Sequence, residues 1–409
     1  MALALTSSMG CDISGASDRF SKRRRRWSAL LLLPVMAFSQ GAIAPHGKTY
    51  GDAGVDEVNY VALAAGGGYM LAGNHSNIEQ KRREMWIIRS DSLGAILWQK
   101  KIGQSTYTSG EAILATADGG AVVLAVELGD TPEDYDARLV KLGPQGEVEW
   151  SRTYGSYGWD WPNHLIETTD GGYLICGWTD SRYAGGGDLW LVKTDSLGDM
   201  QWEHRYGGPA YEEGNHILAT ADGGYLVTGT SVSYSVGGED VWILKVNAEG
   251  EIIWMRVFGG AGDDDGQYAQ PLPDGGFVVL GSTTSYGQGK SDIWLIRLTD
   301  EGNIVWSHTF GGAEREWGAA LALGKDGMVV IGTTLSSGAG QSDIWALKVS
   351  HTGEKLWSRT FGGSGLDFGE FIYPTADGGY ILAGNTHSFG RGESDIWLIK
   401  INSNGSPVF

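Results

Sequence analysis

The chain has 409 residues, 42% of them hydrophobic and 19% charged, and a formal net charge of −19. So acidic a chain should repel nucleic acid and anionic lipid, which sets both aside as partners. Its 65 glycines follow no three-residue period, which excludes a collagen-type helix.

Residues 1–44 stand apart from everything that follows. Lys22-Arg23-Arg24-Arg25-Arg26 precedes an apolar run over 27–38, and small residues continue to Ala44. A basic segment, a short apolar segment and a small-residue segment describe a secretory signal, with cleavage after Ser39 or Ala42. The apolar run is too short for a comfortable membrane span, so the mature chain is expected to have none. An anchor that is never cut is the alternative. The expected location is secreted, periplasmic or cell-surface. Losing residues 1–44 removes six basic and two acidic groups, taking the formal charge from −19 to −23. Only Cys176 then remains, which leaves neither an intrachain disulfide nor a zinc–thiolate site.

From residue 45 to 409 the chain repeats itself. Trp86, Trp190, Trp242, Trp294, Trp345 and Trp397 form one column, with Arg138 in the second slot, at spacings of 51 or 52 residues. Trp98, Trp150, Trp202, Trp254, Trp306 and Trp357 form another, completed by Phe409. A turn-glycine column runs from Gly68 to Gly379, and all three agree on seven copies. A period of about 50 residues, rich in turn glycines and aromatics, predicts a β-propeller.

The fifth copy shows the plan. A short strand a is predicted over 267–272, and Asp274-Gly275-Gly276 turns it into strand b over 277–282. A Ser/Tyr/Gly loop leads to strand c over 292–299, and Asp300-Glu301-Gly302 turns it into strand d over 303–310. Strand c is apolar on both faces, as a strand stacked between neighbouring blades must be, so the repeated tryptophans are read as blade packing. Two charged columns flank it: an acid two residues before the tryptophan slot (Asp292 and its equivalents) and a base three residues after it (Arg297 and its equivalents). Both are filled in every copy, which suits hydrogen bonds to strand ends and loops.

The run Asp-Ile-Trp-Leu-Ile-Lys, turn glycine, tryptophan, Phe-Gly-Gly and Asp-Gly-Gly-Tyr resembles the β-propeller repeats of exported bacterial proteins. It is also similar to quinoprotein-like and kelch-like propeller repeats. The resemblance covers 47–409 and implies a fold, all-β with seven four-stranded antiparallel blades, rather than an activity. The seventh copy stops at Phe409, half-way along its strand d, while Lys48-Thr49-Tyr50-Gly51 matches Arg359-Thr360-Phe361-Gly362. The N-terminal strand is therefore expected to close the ring, since an open ring would leave an exposed edge.

The loops from b to c and from d to a are the longer, more varied set, and function tends to sit on such loops. The d–a loops carry Asp56, Thr108, Asp160, Glu212, Asp264, Glu316 and Asp367 just before strand a. Three residues on come Asn59, Glu111, Asn163, Asn215, Gln267, Ala319 and Glu370. Both columns are expected to ring the channel mouth. Two roles are open to the acids: bonding the amides of their own loops, or receiving a cation, a sugar or a basic peptide. Trp159, Trp161, Trp178 and Trp317 belong to no tryptophan column, and Tyr183, Tyr234, Tyr286 and Phe389 decorate the b–c loops. Aromatics beside carboxylates suit carbohydrate stacking or a protein hot spot, which places Trp159 and Trp161 at the rim. His164 and His216 are too few for a metal site of their own.

No zinc-protease helix, nucleophile elbow or phosphate loop occurs in the sequence. The reading is an exported, non-catalytic, monomeric propeller that binds protein or carbohydrate on its acidic loop face. No cofactor is called for, calcium being the one candidate. The rival readings are a hydrolase or lyase using the mouth carboxylates, and a scaffold in an envelope assembly.

Overall fold

The computed structural model describes residues 44–77, 80–181 and 186–408. The segment up to residue 43, read from the sequence as an export signal, lies outside the described residues, as do Tyr183 and Phe409. Among the described residues regular structure is strand alone, and no helix is long and apolar enough to cross a membrane. The strands form seven antiparallel sheets of four, each strand pairing with the next in the chain, except for one sheet that borrows its fourth strand from the N-terminus. Strand a of every blade packs against strand a of the following one, and the seventh blade returns to the first. The protein is a seven-bladed β-propeller.

In the fifth blade the strands are Asp264–Pro271, Phe277–Thr283, Asp292–Leu298 and Ile304–Phe310. Strands b, c and d agree with the sequence reading to within a residue at each end. Strand a begins three residues earlier than expected, because Asp264 pairs with Thr283 and continues the ladder. A buried acid at the start of a strand looks like a loop residue in a polarity pattern. The consequence is that Asp264 and its equivalents belong to the innermost strand and not to the d–a loop.

Strand c is buried on both faces, as its unbroken apolar run requires, and Trp190, Trp242 and Trp397 are almost wholly enclosed. The second tryptophan column docks on the following blade. Gly302 sits in the c–d turn at φ +77°, where a Cβ would run into Trp254 of the blade before. The basic column reaches back to the a–b turn: Lys141 to Asp118 at 2.7 Å, Lys193 to Asp170 at 2.9 Å, Lys348 to Asp326 at 2.7 Å. In the fourth blade Lys245, 2.6 Å from Asp222, holds that carboxyl down at about 2, with Thr220 two residues earlier adding a hydrogen bond. In the first blade Gly66 replaces that aspartate, and Arg89 donates to the carbonyl of Gly67 instead.

Closure follows the sequence reading. Lys48–Tyr50 pairs antiparallel with Asp395–Ile401, aligning Thr49 with Trp397 and Tyr50 with Ile396. The other half of this outer strand comes from the C-terminus, where Pro407 bridges to Ile401 and the Val408 amide donates to Lys400. Tyr50 then donates its hydroxyl to the Gly94 carbonyl at 2.7 Å, as Tyr154 does to Gly198 at 2.6 Å. The seam between the last blade and the first is built like the others.

Candidate functional site

Strand a decides what faces the channel. Its first residue is the acid of the first column, and Asp56, Asp160, Glu212, Asp264, Glu316 and Asp367 are all fully buried. Each is satisfied by its own blade. Asp160 accepts from Thr179 Oγ1, from Ser181 Oγ at 2.9 Å and from the Ser156 amide at 2.8 Å. Glu212 accepts from Ser231 Oγ, the Ser233 amide and the Gly208 amide, all within 2.8 Å. Asp264, Glu316 and Asp367 repeat the arrangement with Thr283, Thr334 and Thr386. The strand-c acids come to the same seams. Asp292 and Glu316 flank Gly311, whose missing Cβ would collide with both. Asp292, Asp343 and Asp395 also accept amides of their b–c loops at 2.8–3.0 Å. Burial, and then the facing acid, raises Asp188 above the usual carboxylate range. Of the two roles open to them, the first-column carboxylates take that of enclosed loop clamps, because strand a carries the acid at its start and turns it into the seam.

Successive strand residues point to opposite sides, so positions one and three after the acid turn the other way. In every blade the residue at position three is an extra one. The ladder slips between Pro162 and His164, and likewise at its six equivalents, which makes Asn59, Glu111, Asn163, Asn215, Gln267, Ala319 and Glu370 a ring of β-bulges. All seven are half-buried. Three of them are asparagines that clip a blade to the next: Asn59 to the Gly110 carbonyl at 2.8 Å, Asn163 to Gly214 at 2.9 Å, Asn215 to Gly266 at 2.8 Å. Asn163 also donates to Glu213 at 2.8 Å, and Gln267 to Asp265 at 2.6 Å. The residues one after the acid, Glu57, Glu213 and Asp265, join this polar belt. They escaped the sequence reading because it placed the acid in a loop; alternation from a strand starting at the acid identifies them.

Next in strand a after the bulge, a plug of rings crosses the channel. Tyr60 packs on Phe371 at 4.1 Å between centroids, His164 on His216 at 4.1 Å, and His216 on Tyr268 at 3.9 Å. The Tyr60 hydroxyl lies 3.0 Å from His164 Nε2, a bond from the first blade to the third. Burial pushes the His164 imidazole down to about 3, so it is neutral at ordinary pH and serves as packing. The mouth is therefore a floored cup rather than an open bore.

At the rim, the rings gather on one side. Tyr107 meets Tyr135 at 5.6 Å, Tyr135 meets Trp159 at 5.1 Å and Trp161 at 5.8 Å, Trp159 meets Trp178 at 6.3 Å, and Trp178 meets Tyr211 at 5.7 Å. Trp161 and Trp178 are buried beneath, while Tyr107, Tyr135, Trp159 and Tyr211 are half-exposed. The arc covers blades two to four. Arg83 sits 5.4 Å over Tyr107 and bonds Glu57 at 2.7 Å, and the Tyr211 hydroxyl donates to Glu213 at 2.8 Å. Trp159 stands in the arc and Trp161 lies buried beneath it; Tyr107, Tyr135 and Tyr211 were not singled out by the sequence reading. Trp317 lies on another blade, beside Phe368 at 6.2 Å.

One belt carboxyl has unusual chemistry. Burial, followed by repulsion from Glu57, pushes Glu370 up to about 8, with an Asn385 hydrogen bond opposing. A carboxyl raised on folding keeps its proton in the folded state, so stability should fall as pH rises from about 4.5 towards about 8. Glu370→Gln is expected to remove that fall. The gain should be about 1–3 kcal/mol above the folded pKa and near zero below the unfolded one, read from urea midpoints. A parent with equal midpoints at both ends, unmoved by the substitution, would contradict it.

Among the described residues, the group that brings three metal-ligating atoms within 4.8 Å of one another is Asp52, Asp56 and His75. Asp160, Glu212 and Asp264, three of the acids that could have received a cation, each keep to the hydroxyls and amides of their own blade.

No protein-family model matches the chain, and no curated protein does. Among solved structures it is similar to puromycin hydrolase, at 16% identity over 86% of this chain and 52% of that one, with a TM-score of 0.48. It is similar to the acylaminoacyl peptidase of Pyrococcus horikoshii at 10% identity, covering 87% and 52%, with a TM-score of 0.48. Sqt1 from Chaetomium thermophilum shares 14% identity over 91% of this chain and 88% of its own, again with a TM-score of 0.48. The chain spans about half the length of the two hydrolases, and the likeness to all three is one of fold alone.

Proposed function

We propose that this protein is an exported, non-catalytic binding propeller whose loop face takes a carbohydrate at the channel mouth. One observation carries the reading: the arc of half-exposed rings from Tyr107 to Tyr211 stands directly above a belt of carboxylates and carboxamides. Ring faces stack on the C–H faces of a sugar, and the belt supplies acceptors and donors for its hydroxyls. The floored cup limits the ligand to a few sugar units entering from one side. Glycan-array screening of the full chain, followed by calorimetry on the strongest binder, tests this. Trp159→Ala should weaken binding by about 10–100-fold, since an aromatic ring lost from a contact costs roughly 1.5–3 kcal/mol. Its melting temperature should stay near that of the parent. Equal affinity in parent and variant would sink the assignment.

A second reading, a hydrolase or lyase, has one group in its favour. Glu370 holds its proton up to about 8 beside Glu57, the pairing a general acid and its partner need. It would show as cleavage of the bound glycan that stops in Glu370→Gln. In the binding reading the ligand is recovered intact.

A further inference from the structure

We propose that Asp52, Asp56 and His75, at the seam where the last blade meets the first, form a site for a transition-metal ion of the zinc class. The repeat supplies its own controls. In blades three to seven the buried acid of strand a is held by a hydroxyl from strand b, Thr179, Ser231, Thr283, Thr334 or Thr386. It also accepts the amide four residues earlier, which belongs to Ser156, Gly208, Gly260, Gly312 or Gly363. Holding the acid needs nothing more. In blade one both partners change together: His75 takes the place of the hydroxyl, and the amide belongs to Asp52, which brings a second carboxylate. No other blade has either substitution.

The added groups are those a zinc-type ion selects, one imidazole nitrogen and two carboxylates. A lone hard cation such as calcium would want oxygen alone. His75 Nδ1 lies 2.6 Å from Asp56 Oδ1 and 3.8 Å from Asp52 Oδ1. With bonds of about 2.0–2.2 Å to nitrogen and oxygen, neighbouring ligands on a tetrahedron sit roughly 3.3–3.5 Å apart, between those two distances. Asp56 and His75 are buried and fixed by the fold, whereas Asp52 is 59% exposed, leaving a side open for water. A cleft of about 400 Å³ lies there, lined in part by Tyr50, Asp52, Trp86 and Asp395. Without an ion, Asp52 is shared between the Gly54 amide at 3.1 Å and Lys101 Nζ at 3.3 Å. An ion would draw one oxygen from these weak, exposed contacts and displace the proton that His75 shares with Asp56.

The test uses the full chain, stripped with a chelator, and zinc or cobalt(II) as probe. Calorimetry should find one zinc per chain with micromolar or tighter affinity, and cobalt should give the visible absorption of a four-coordinate site. His75→Thr installs the residue that four other blades carry and so should fold, melting close to the stripped parent, but should bind zinc at least tenfold more weakly. Asp52→Gly, the residue of four other blades, changes an exposed side chain and should weaken zinc by a similar factor, which keeps the test open if the first variant misfolds. Absence of zinc and cobalt binding at millimolar metal, or undiminished binding by both variants, overturns the proposal.

Discussion

Deleting residues 47–51 should destabilise the entire ring, lowering its melting temperature by about 10 °C or more. The segment contributes Lys48–Tyr50 to the outer strand of the seventh blade, and the carbonyl of His46 just before it accepts the Trp397 indole at 2.7 Å. Tyr50 is buried and carries the seam bond to Gly94. Losing such an aromatic from a core costs about 3–5 kcal/mol, before the exposed edge of strand c is counted. That is a large part of the total stability of an ordinary domain, about 5–15 kcal/mol. A ring passes the loss to every blade, because each packs on two neighbours and the opened seam frees both ends. Thermal unfolding of the truncated chain beside the parent is the check. An unchanged midpoint would mean that the strand is not shared.

Asp264→Ala is the second large effect, and it separates the two roles the sequence left open for the acidic column. The substitution takes the acceptor from Thr283 Oγ1, from Ser285 Oγ and from the Gly260 amide, at a position where Asp264 itself is fully buried and the last two bonds are partly so. Each orphaned donor costs about 1–3 kcal/mol, and relief of the facing Asp240, which burial and then Asp264 raise, offsets part. A net loss of about 3–5 kcal/mol follows, visible as a lower urea midpoint with an unchanged slope. Glycan affinity extrapolated to folded protein should not change. A variant as stable as the parent that no longer binds would restore the column to the binding site.

The architecture was legible because it is written seven times. Tryptophan columns, turn glycines and the split last strand each gave the blade count, and the pairing of Tyr50 with Ile396 follows from the match of Lys48-Thr49-Tyr50-Gly51 to its counterpart in blade six. The basic column was legible too, since a charge filled in every copy serves a job done once per blade. The mouth was only half legible. For Asp160 and Asp264 the sequence left both roles open, loop clamp and ligand group, because polarity alone does not reveal whether a carboxylate at a strand end is enclosed. The β-bulge at Asn163 and its equivalents shifts the alternation by one residue, and in a strand this short and mixed in polarity the shift was not read from the sequence. Tyr107 and Tyr211 precede strand a in different blades and Tyr135 opens a strand c, and only the ring brings them into one arc with Trp159. His75 looked ordinary in the sequence; its meaning comes from standing where other blades place a hydroxyl.

The binding site itself is tested most directly by a crystal structure of the full chain with the strongest-binding oligosaccharide from the array. The account predicts a sugar ring lying against Trp159 and Tyr211, its hydroxyls on Glu111, Asn163 or Glu213, and its glycosidic bonds intact. Sugar bound on the opposite c–d turn face, or along the outer strands with the aromatic arc bare, would contradict it.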